Sequence, residues 1–374
     1  MKPRTDPSIL LRRYWENPDT PVVTAGLAAL SVGYRAALTL RETAYRVRLL
    51  GTGRLACPVI SIGNITLGGS GKTPVTELAV RTLRELGGRP AVVSRGYGRH
   101  TRGVHVVADG GGIRLAAQDA GDEPRLLAER LPGVPVVVGE NRLAAGRVAA
   151  ERCGATVIVL DDGFQHRTIA KDLEIVAVNG QAPWGNARLF PRGMLREPLA
   201  ALGRADLVVV TNPPGAAEVE AVSREVGRHN PRAPVLTAVY EVVDAYDLDS
   251  GRRLGAEALA GRRLLAFAGL GTPRGFADTL AAAGVRAPGL VEFPDHHWYD
   301  GDEVAELARQ SIAVGAEGLI TTEKDAVRLR GLPAPRVPLW VLSVRLRLTA
   351  GTDVWVQALT RTLARDRARD ETRR

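Results

Sequence analysis

The sequence predicts an α/β protein built on a doubly wound, mostly parallel sheet, with a second and smaller α/β domain after it. Three observations carry this. Short apolar runs recur at Val59–Ile62, Ala91–Ser94, Val134–Val138, Thr156–Leu160, Glu174–Val178 and Leu207–Val210. Amphipathic patterns such as Asn141–Arg152 and Ala216–Arg228 lie between several of them. Apolar runs separated by helices suit buried parallel strands, because helices cover both faces of such a sheet. Finally, Pro231-Arg-Ala-Pro234 breaks the pattern, and Val235–Tyr240 then reads as a linker strand.

A second set follows: a strand at Leu264–Ala268, a helix from Gly275, a strand at Leu290–Phe293, a helix over Asp302–Val314, and strands at Leu319–Thr322 and Leu339–Leu342. A chain of 374 residues has room for roughly two domains. The expected division is an N-terminal segment over 1–50, a first α/β domain over 51–234, and linker strands with the smaller domain over 235–374. The tail Arg361–Arg374 is dense in charge and is expected to fray.

The N-terminal element differs from the rest. Pro21 to Leu40 is largely apolar, but Arg35 interrupts it and Arg41, Arg46 and Arg48 follow. Read as a helix from Ala25 to Leu50, it places Ser31, Arg35, Thr39, Glu42 and Arg46 on one stripe. Leu30, Tyr34, Leu38, Tyr45 and Leu49 fall elsewhere. A basic amphipathic helix of this kind suits a membrane interface. A true span and a helix packed on its own domain are the alternatives.

Composition narrows the partners. Lys+Arg number 50 against 41 Asp+Glu, a net charge of +9. That surplus favours acidic partners or is simply a solvated surface. Aromatic residues make up 5% and the basic residues are scattered, so no nucleic-acid stacking platform is present and nucleic acid is not expected as a partner. Cys57 and Cys153 stand far apart, with neither ligand-like spacing nor a disulfide framework.

The chemistry starts at Pro58–Thr73, where an apolar strand runs into Thr66-Leu-Gly68-Gly69-Ser70-Gly71-Lys72-Thr73 and then into a helix. This is the layout of a phosphate-cradling P-loop. Glycines let consecutive backbone N–H groups point into one concavity, and the helix adds its positive end. Lys72 supplies a charge for the β- and γ-phosphates, and Thr73 a hydroxyl for Mg²⁺. Thr66 stands where the strict pattern has glycine. Asp161-Asp162-Gly-Phe-Gln165-His166 closes another strand, where such an enzyme places its metal-holding acid.

Other strings are weaker alone. Ser94-Arg-Gly-Tyr97-Gly-Arg99 follows a strand and has residues suited to an anion. Gly121-Asp122-Glu123-Pro124 opens a helix, so Asp122 is either its N-cap or a functional acid. Asp295-His296-His297 has no further ligand cluster beside it, which favours proton transfer over a metal. A regulatory GTPase is disfavoured, because no strand is followed by Asn-Lys-x-Asp; Thr211-Asn-Pro-Pro214 and Thr322-Glu-Lys-Asp325 both lack it.

The ordered set SIGNITLGGSGKTP, SRGYGR, GDEP, ENR, LDDGFQH, LREP, FPDHHWY and TTEKDA resembles the tetraacyldisaccharide 4'-kinase family, the membrane-bound lipid A kinases of Gram-negative bacteria. The resemblance spans most of the chain, and the family also carries Thr or Ser at the Thr66 position. It implies transfer of the ATP γ-phosphoryl group to the 4'-hydroxyl of tetraacyldisaccharide 1-phosphate at the cytoplasmic face of the inner membrane, with Mg²⁺ as cofactor. It further implies that Thr66, Gly68, Gly69, Ser70, Gly71 and Lys72 hold the nucleotide. Thr73, Asp161 and Glu197 would attend the metal. Asp122 would activate the sugar hydroxyl and His296, rather than His297, would share its proton. Tyr97, Arg142, Asp162, Gln165 and His166 would support the site. Because Asp122 and His296 fall in different expected domains, the site is expected in a cleft that closes on its substrates.

Overall fold

The structure, a computed structural model, describes residues 14–15 and 21–371, with the side chains of Val22 and 365–371 left aside. The expected segment 1–50 and the tail Arg361–Arg374 therefore lie partly outside the described residues. Two compact units form: Met1–Val239 with Leu348–Arg374, and Tyr240–Arg347.

The first unit holds β1 (Val59–Gly63), β2 (Pro90–Ser94), β3 (His105–Asp109), β4 (Pro135–Val138), β5 (Val157–Asp161), β6 (Leu173–Asn179), β7 (Leu207–Thr211) and the start of β8 (Val235–Asp247). Their order is β3-β4-β2-β5-β1-β6-β7-β8. Every neighbouring pair is parallel except β3 with β4. β1, β2, β5 and β7 are buried at every position, which explains their unbroken apolar runs. One face of the sheet packs Val59, Val93, Val137, Ile158 and Leu160 on Leu55, Ala145 and Ala149. The other packs Val176, Val178, Val208 and Val210 on Phe164, Leu202, Val222 and Val226.

β1 is the switch point of this sheet. The chain continues from it to β2 on one side, while β6 lies on the other. Ligand crevices form at the carboxyl ends of strands at such a point. Register sets the details: Ile62 pairs with Asp161, and Val93 with Leu160. The last residues of β1, β2 and β5 therefore converge.

The second unit contains β9 (Arg253–Gly255), β10 (Leu264–Ala268), β11 (Leu290–Glu292), β12 (Gly318–Thr322) and most of β13 (Leu339–Ala350). β11, β10, β12 and β13 are parallel neighbours, while β9 runs antiparallel to the later part of β8. Its helix Gly301–Ala313 starts at a capping box, in which Asp300 and Glu303 satisfy each other's backbone N–H groups.

Two boundaries differ from expectation. The last segment returns to the first unit instead of completing the second. It forms the helix Thr352–Glu371, and buried Trp355 donates from Nε1 to Thr82 Oγ1 at 3.1 Å. Leu359 is also fully buried. The charges around these residues masked a core-facing stripe. The backbone stays helical through Glu371, so the expected frayed tail is not seen in the described part.

The N-terminal helix runs from Pro21 to Arg46. Among the described residues, Val23–Arg46 is the helix long and apolar enough to cross a membrane. Its rotation differs from the expected one. Ser31, Tyr34, Arg41 and Glu42 turn toward the first unit, while Leu30, Val32 and Leu40 stand 62%, 70% and 73% exposed. Of the expected polar stripe only Ser31 and Glu42 dock, while Arg35, Thr39 and Arg46 are exposed and Tyr34, Leu38 and Tyr45 are half-buried, so the packed-helix alternative holds for one face only.

Candidate active site

The loop after β1 has the conformation its glycines permit. Gly68 and Gly71 have φ of +96° and +77°, values that non-glycine residues rarely adopt. Gly71 caps the helix Lys72–Glu85 without a side-chain bond, so its first N–H groups face the loop. The loop is tied from two sides. Asn179 at the end of β6 donates to Gly69 O at 3.2 Å, and Thr211 at the end of β7 donates to Ser70 O at 3.2 Å. Neither residue was given a role from sequence, and strand-end position was the available signal. On the other side Leu67 N donates to Met194 O and Arg196 N to Ile65 O, at 2.7 and 2.8 Å. Thr66 forms a bridge with Leu195 and is buried, a place where a β-branched residue fits.

The two acids at the end of β5, Asp161 within it and Asp162 just after it, divide the work. Asp161 is buried and accepts from Thr76 Oγ1 at 3.2 Å and Ser94 Oγ at 3.1 Å. Burial, then Glu123 and Asp162, push its carboxyl up to about 7, against the pull of Lys72. Asp162 faces the other way, with a left-handed φ of 52°. Lys72 Nζ lies 3.6 Å from its Oδ1, and Arg196 Nη1 donates to Oδ1 and Oδ2 at 2.7 and 3.0 Å. Burial opposes ionisation of Asp162, but Lys72 and Arg196 hold it down at about 2. Arg196 Nη1 also reaches Asn64 and Gln165, each at 3.3 Å, and Gln165 Nε2 donates to Asn64 O at 2.7 Å. Sequence reasoning gave Arg196 no role, although it precedes Glu197 in the quoted string.

Glu140-Asn141-Arg142 does three separate jobs. Glu140 pairs with Arg99, whose guanidinium also reaches Gly103 O and Thr101. Arg99 is therefore a brace, contrary to the expected anion-binding use of that string. Asn141 caps the helix Arg142–Glu151 by accepting from Ala144 N at 3.0 Å. Arg142 is buried, donates to Gly139 O at 2.6 Å, and keeps its Nε without a partner. Burial lowers its guanidinium to about 10, partly offset by Asp161 and Asp162. His166 bonds Thr168 Oγ1 at 2.8 Å, and burial followed by Arg142 and Lys171 depresses it to about 4.

Asp122 is not the cap of its helix. Gly121 occupies that position, and Asp122 is the first residue, accepting from Glu123 N at 2.9 Å. It is 4% exposed. A Cβ on Gly121 would lie 3.0 Å from Gly96 Cα, and one on Gly96 would lie 2.6 Å from Ala120 O. That close backbone contact seats the Tyr97 loop against the start of the Asp122 helix. Tyr97 itself is exposed.

Glu197 departs from its expected role beside a metal. It is buried, and Arg41 and Arg204 engage its two oxygens at 2.8 and 2.5 Å. A carboxylate already shared by two guanidiniums is a structural bridge.

In the second unit the histidine pair separates clearly. His297 Nε2 sits 2.8 Å from Glu303, and its ring stacks on Phe293 with centroids 4.8 Å apart. It belongs to the capping and packing of its own loop. His296 has a left-handed φ of 61° and lies 3.4 Å from Lys324 Nζ and 3.9 Å from Asp295. Strain of this kind at a non-glycine residue concentrates at functional positions. The loop is held by Asp325, which accepts from Gly269 N, Tyr299 OH and Arg328 at 2.9, 2.8 and 2.6 Å.

A profile of the tetraacyldisaccharide-1-P 4'-kinase family matches residues 23–364. The chain belongs to this family. It is 40% identical over 350 residues to the tetraacyldisaccharide 4'-kinase of Syntrophus aciditrophicus, covering 90% of this chain and 94% of that one. Identity to the enzyme of the same name from Anaeromyxobacter sp. strain Fw109-5 is 43% over 363 residues, covering 96% and 97%. The crystal structure of LpxK from Aquifex aeolicus in complex with ATP is similar with a TM-score of 0.71 and 29% identity, covering 91% of this chain and 99% of that one. Within this kinase family, the first unit gathers Lys72, Asp161, Asp162, Gln165 and Arg142 of the expected residues. His166 bonds its own loop, Glu197 bridges two arginines, and His296 belongs to the second unit.

Proposed function

We infer that the chain is an ATP-dependent kinase of lipid A biosynthesis. It transfers the γ-phosphoryl group to the 4'-hydroxyl of tetraacyldisaccharide 1-phosphate, forming lipid IVA and ADP. Family membership supplies the acceptor. The observation that carries the chemistry is the corner where Lys72 lies 3.6 Å from Asp162, with Ser70 Oγ and Arg142 Nε buried and without partners. Buried donors without partners are costly in isolation and fit phosphate oxygens.

The same corner fits Mg²⁺. Mg²⁺ is commonly held through one or two carboxylates plus substrate phosphates, and Asp161 and Asp162 are adjacent carboxylates at the end of β5. Thr73, Asp161 and Asp162 are the residues that would hold it. When bound, the ion neutralises charge on the phosphates.

The chain's own residues supply the rest. Lys72 braces the β- and γ-phosphates, and Arg142 balances charge that develops on the transferred group. Asp122 accepts the proton of the sugar hydroxyl, a poor nucleophile without a positioned base. Tyr97 contributes on the acceptor side. The acceptor is amphiphilic, and the helix Pro21–Arg46 has an open apolar side. This pairing supports residence at a membrane surface, and the kinase reading puts that surface at the cytoplasmic face of the inner membrane.

The test is incubation of tetraacyldisaccharide 1-phosphate with the protein, ATP and Mg²⁺, read by mass spectrometry. A gain of one phosphate on the lipid is expected. ATP consumption with no phosphate on the lipid would point instead to an acceptor-free ATPase.

A further inference from the structure

We propose that the helix Pro21–Arg46 is a positioning element of the phosphoryl-transfer site, acting through Tyr34 and Arg41 on the strap Leu189–Glu197. The inference rests on the kinase reading above. Its basis is a continuous run of directional contacts within the first unit.

One side of the strap belongs to the helix. Ser31 Oγ donates to Leu189 O at 3.0 Å, Tyr34 OH donates to Arg196 O at 2.8 Å, and Arg41 Nη2 donates to Glu197 Oε1 at 2.8 Å. The Tyr34 ring meets Phe190 edge to face at 5.8 Å, and Trp15 Nε1 donates to Pro191 O at 3.0 Å. The other side belongs to the nucleotide loop, through the bonds from Leu67 N to Met194 O and from Arg196 N to Ile65 O.

Arg196 joins the two sides. Its carbonyl is fixed by the helix, its N–H by the residue entering the P-loop, and its guanidinium holds Asp162. Asp162 in turn faces Lys72. Glu197 extends the link, because Arg204 binds its second oxygen and lies over the Phe164 ring at 4.3 Å. Phe164 packs directly on the end of β1: a Cβ on Gly63 would lie 2.5 Å from Phe164 Cβ. An anchor alone needs an apolar surface and basic residues. It does not need a tyrosine hydroxyl and a guanidinium aimed at the two residues that close the strap.

The helix therefore has two separable faces. The exposed face, with Leu30, Val32 and Leu40, governs membrane residence, while the docked face governs turnover. Tyr34→Phe removes one hydrogen bond and keeps the ring. Arg41→Ala leaves buried Glu197 with Arg204 alone, and Arg41→Lys restores a cation. The comparison variant carries Leu30→Ser with Leu40→Ser.

Each full-length variant is assayed in mixed micelles at saturating lipid acceptor, with vesicle partition and melting temperature measured in parallel. Tyr34→Phe is expected to lower kcat roughly 3–10-fold, the worth of one hydrogen bond. Its acceptor KM should stay within about twofold, the pattern of an interaction made in the transition state. Vesicle partition should not change. Arg41→Ala should lower kcat further, and Arg41→Lys should recover part of the loss. The exposed-face variant should lose partition and keep kcat.

Unchanged kcat in both Tyr34→Phe and Arg41→Ala overturns the proposal. So does a loss confined to acceptor KM and tracking partition, or one proportional to the loss of folded protein. A wild-type protein that transfers no phosphate refutes the kinase reading instead. An active wild type with normal variants refutes this inference alone.

Discussion

Asp162 follows β5 in the first unit, and Asp325 lies in the helix that opens after β12 in the second. Both are acids at the carboxyl ends of buried parallel strands, and both meet a cation. Their surroundings differ. Asp325 has no exposed side-chain surface, and four groups bond it: Gly269 N, Tyr299 OH, Arg328 and Thr322. Tyr299, pressed by burial and by Asp325, has its hydroxyl pushed far above the usual range and stays a donor. Asp162 keeps 31% of its side chain exposed, and its Lys72 contact is loose at 3.6 Å. The lesson is that a strand-end acid is functional where its partners leave room for a ligand. Where every acceptor site is filled, it is a structural knot.

Lys72→Ala is expected to have the largest effect on rate, because the phosphate-bracing charge is lost at the transition state. Turnover should fall by about 10³-fold or more. The measurement is single-turnover phosphate transfer in folded protein, and a near-normal rate would remove the contrast between the two acids.

Next come Asp122→Ala and His296→Ala, each expected to reduce kcat by roughly 10²–10⁴-fold with nucleotide binding retained. Groups acting as one unit are non-additive, so a double variant little worse than the poorer single one would join the two residues in one function. Losses that multiply would separate the two residues.

Asp325→Ala tests the knot. It leaves Arg328 buried without its ion-pair partner, at a cost of about 3–5 kcal/mol. Chemical denaturation should show this as a loss of stability in the second unit. A stable variant with lost activity would instead place Asp325 among the functional acids.

Asp161 offers a pH test. The folded chain holds its carboxyl at about 7, whereas an unfolded aspartate titrates near about 4. Between those values the folded state binds the extra proton, so its contribution to stability falls as pH rises through that window. The slope should be at most about 1.4 kcal/mol per pH unit. Asp161→Asn should flatten it in melting curves taken without nucleotide or Mg²⁺, and an unchanged slope would reassign the titration.

The smallest expected effect is His297→Ala. Its pairing with Glu303 is partly exposed, and such pairs contribute about 0–1 kcal/mol. A rate loss as large as that of His296→Ala would reverse the reading of the histidine pair.

Much of this was legible in the chain. The strands of both units fell within a residue or two of the apolar runs, except β3, β9 and the long extensions of β8 and β13. β3 and β9 carry too little apolar patterning to stand out. The P-loop and the paired acids could be read because glycine, lysine and carboxylate at a strand end have few other uses. Asn179 could not be interpreted, since its contact with Gly69 spans 110 positions. Asp122 stayed ambiguous until Gly121 was seen in the capping position.

By itself the sequence determined the fold class, the family and the nucleotide corner, because local pattern and short motifs encode them. Only the tertiary structure decided the rotation of the N-terminal helix, the role of Glu197, the return of the last helix to the first unit, and the difference between His296 and His297. Each depends on which partner meets a side chain across many residues. Periodicity specifies a helix's faces without specifying what covers them, and a charge's role follows from the partners that its folded surroundings provide.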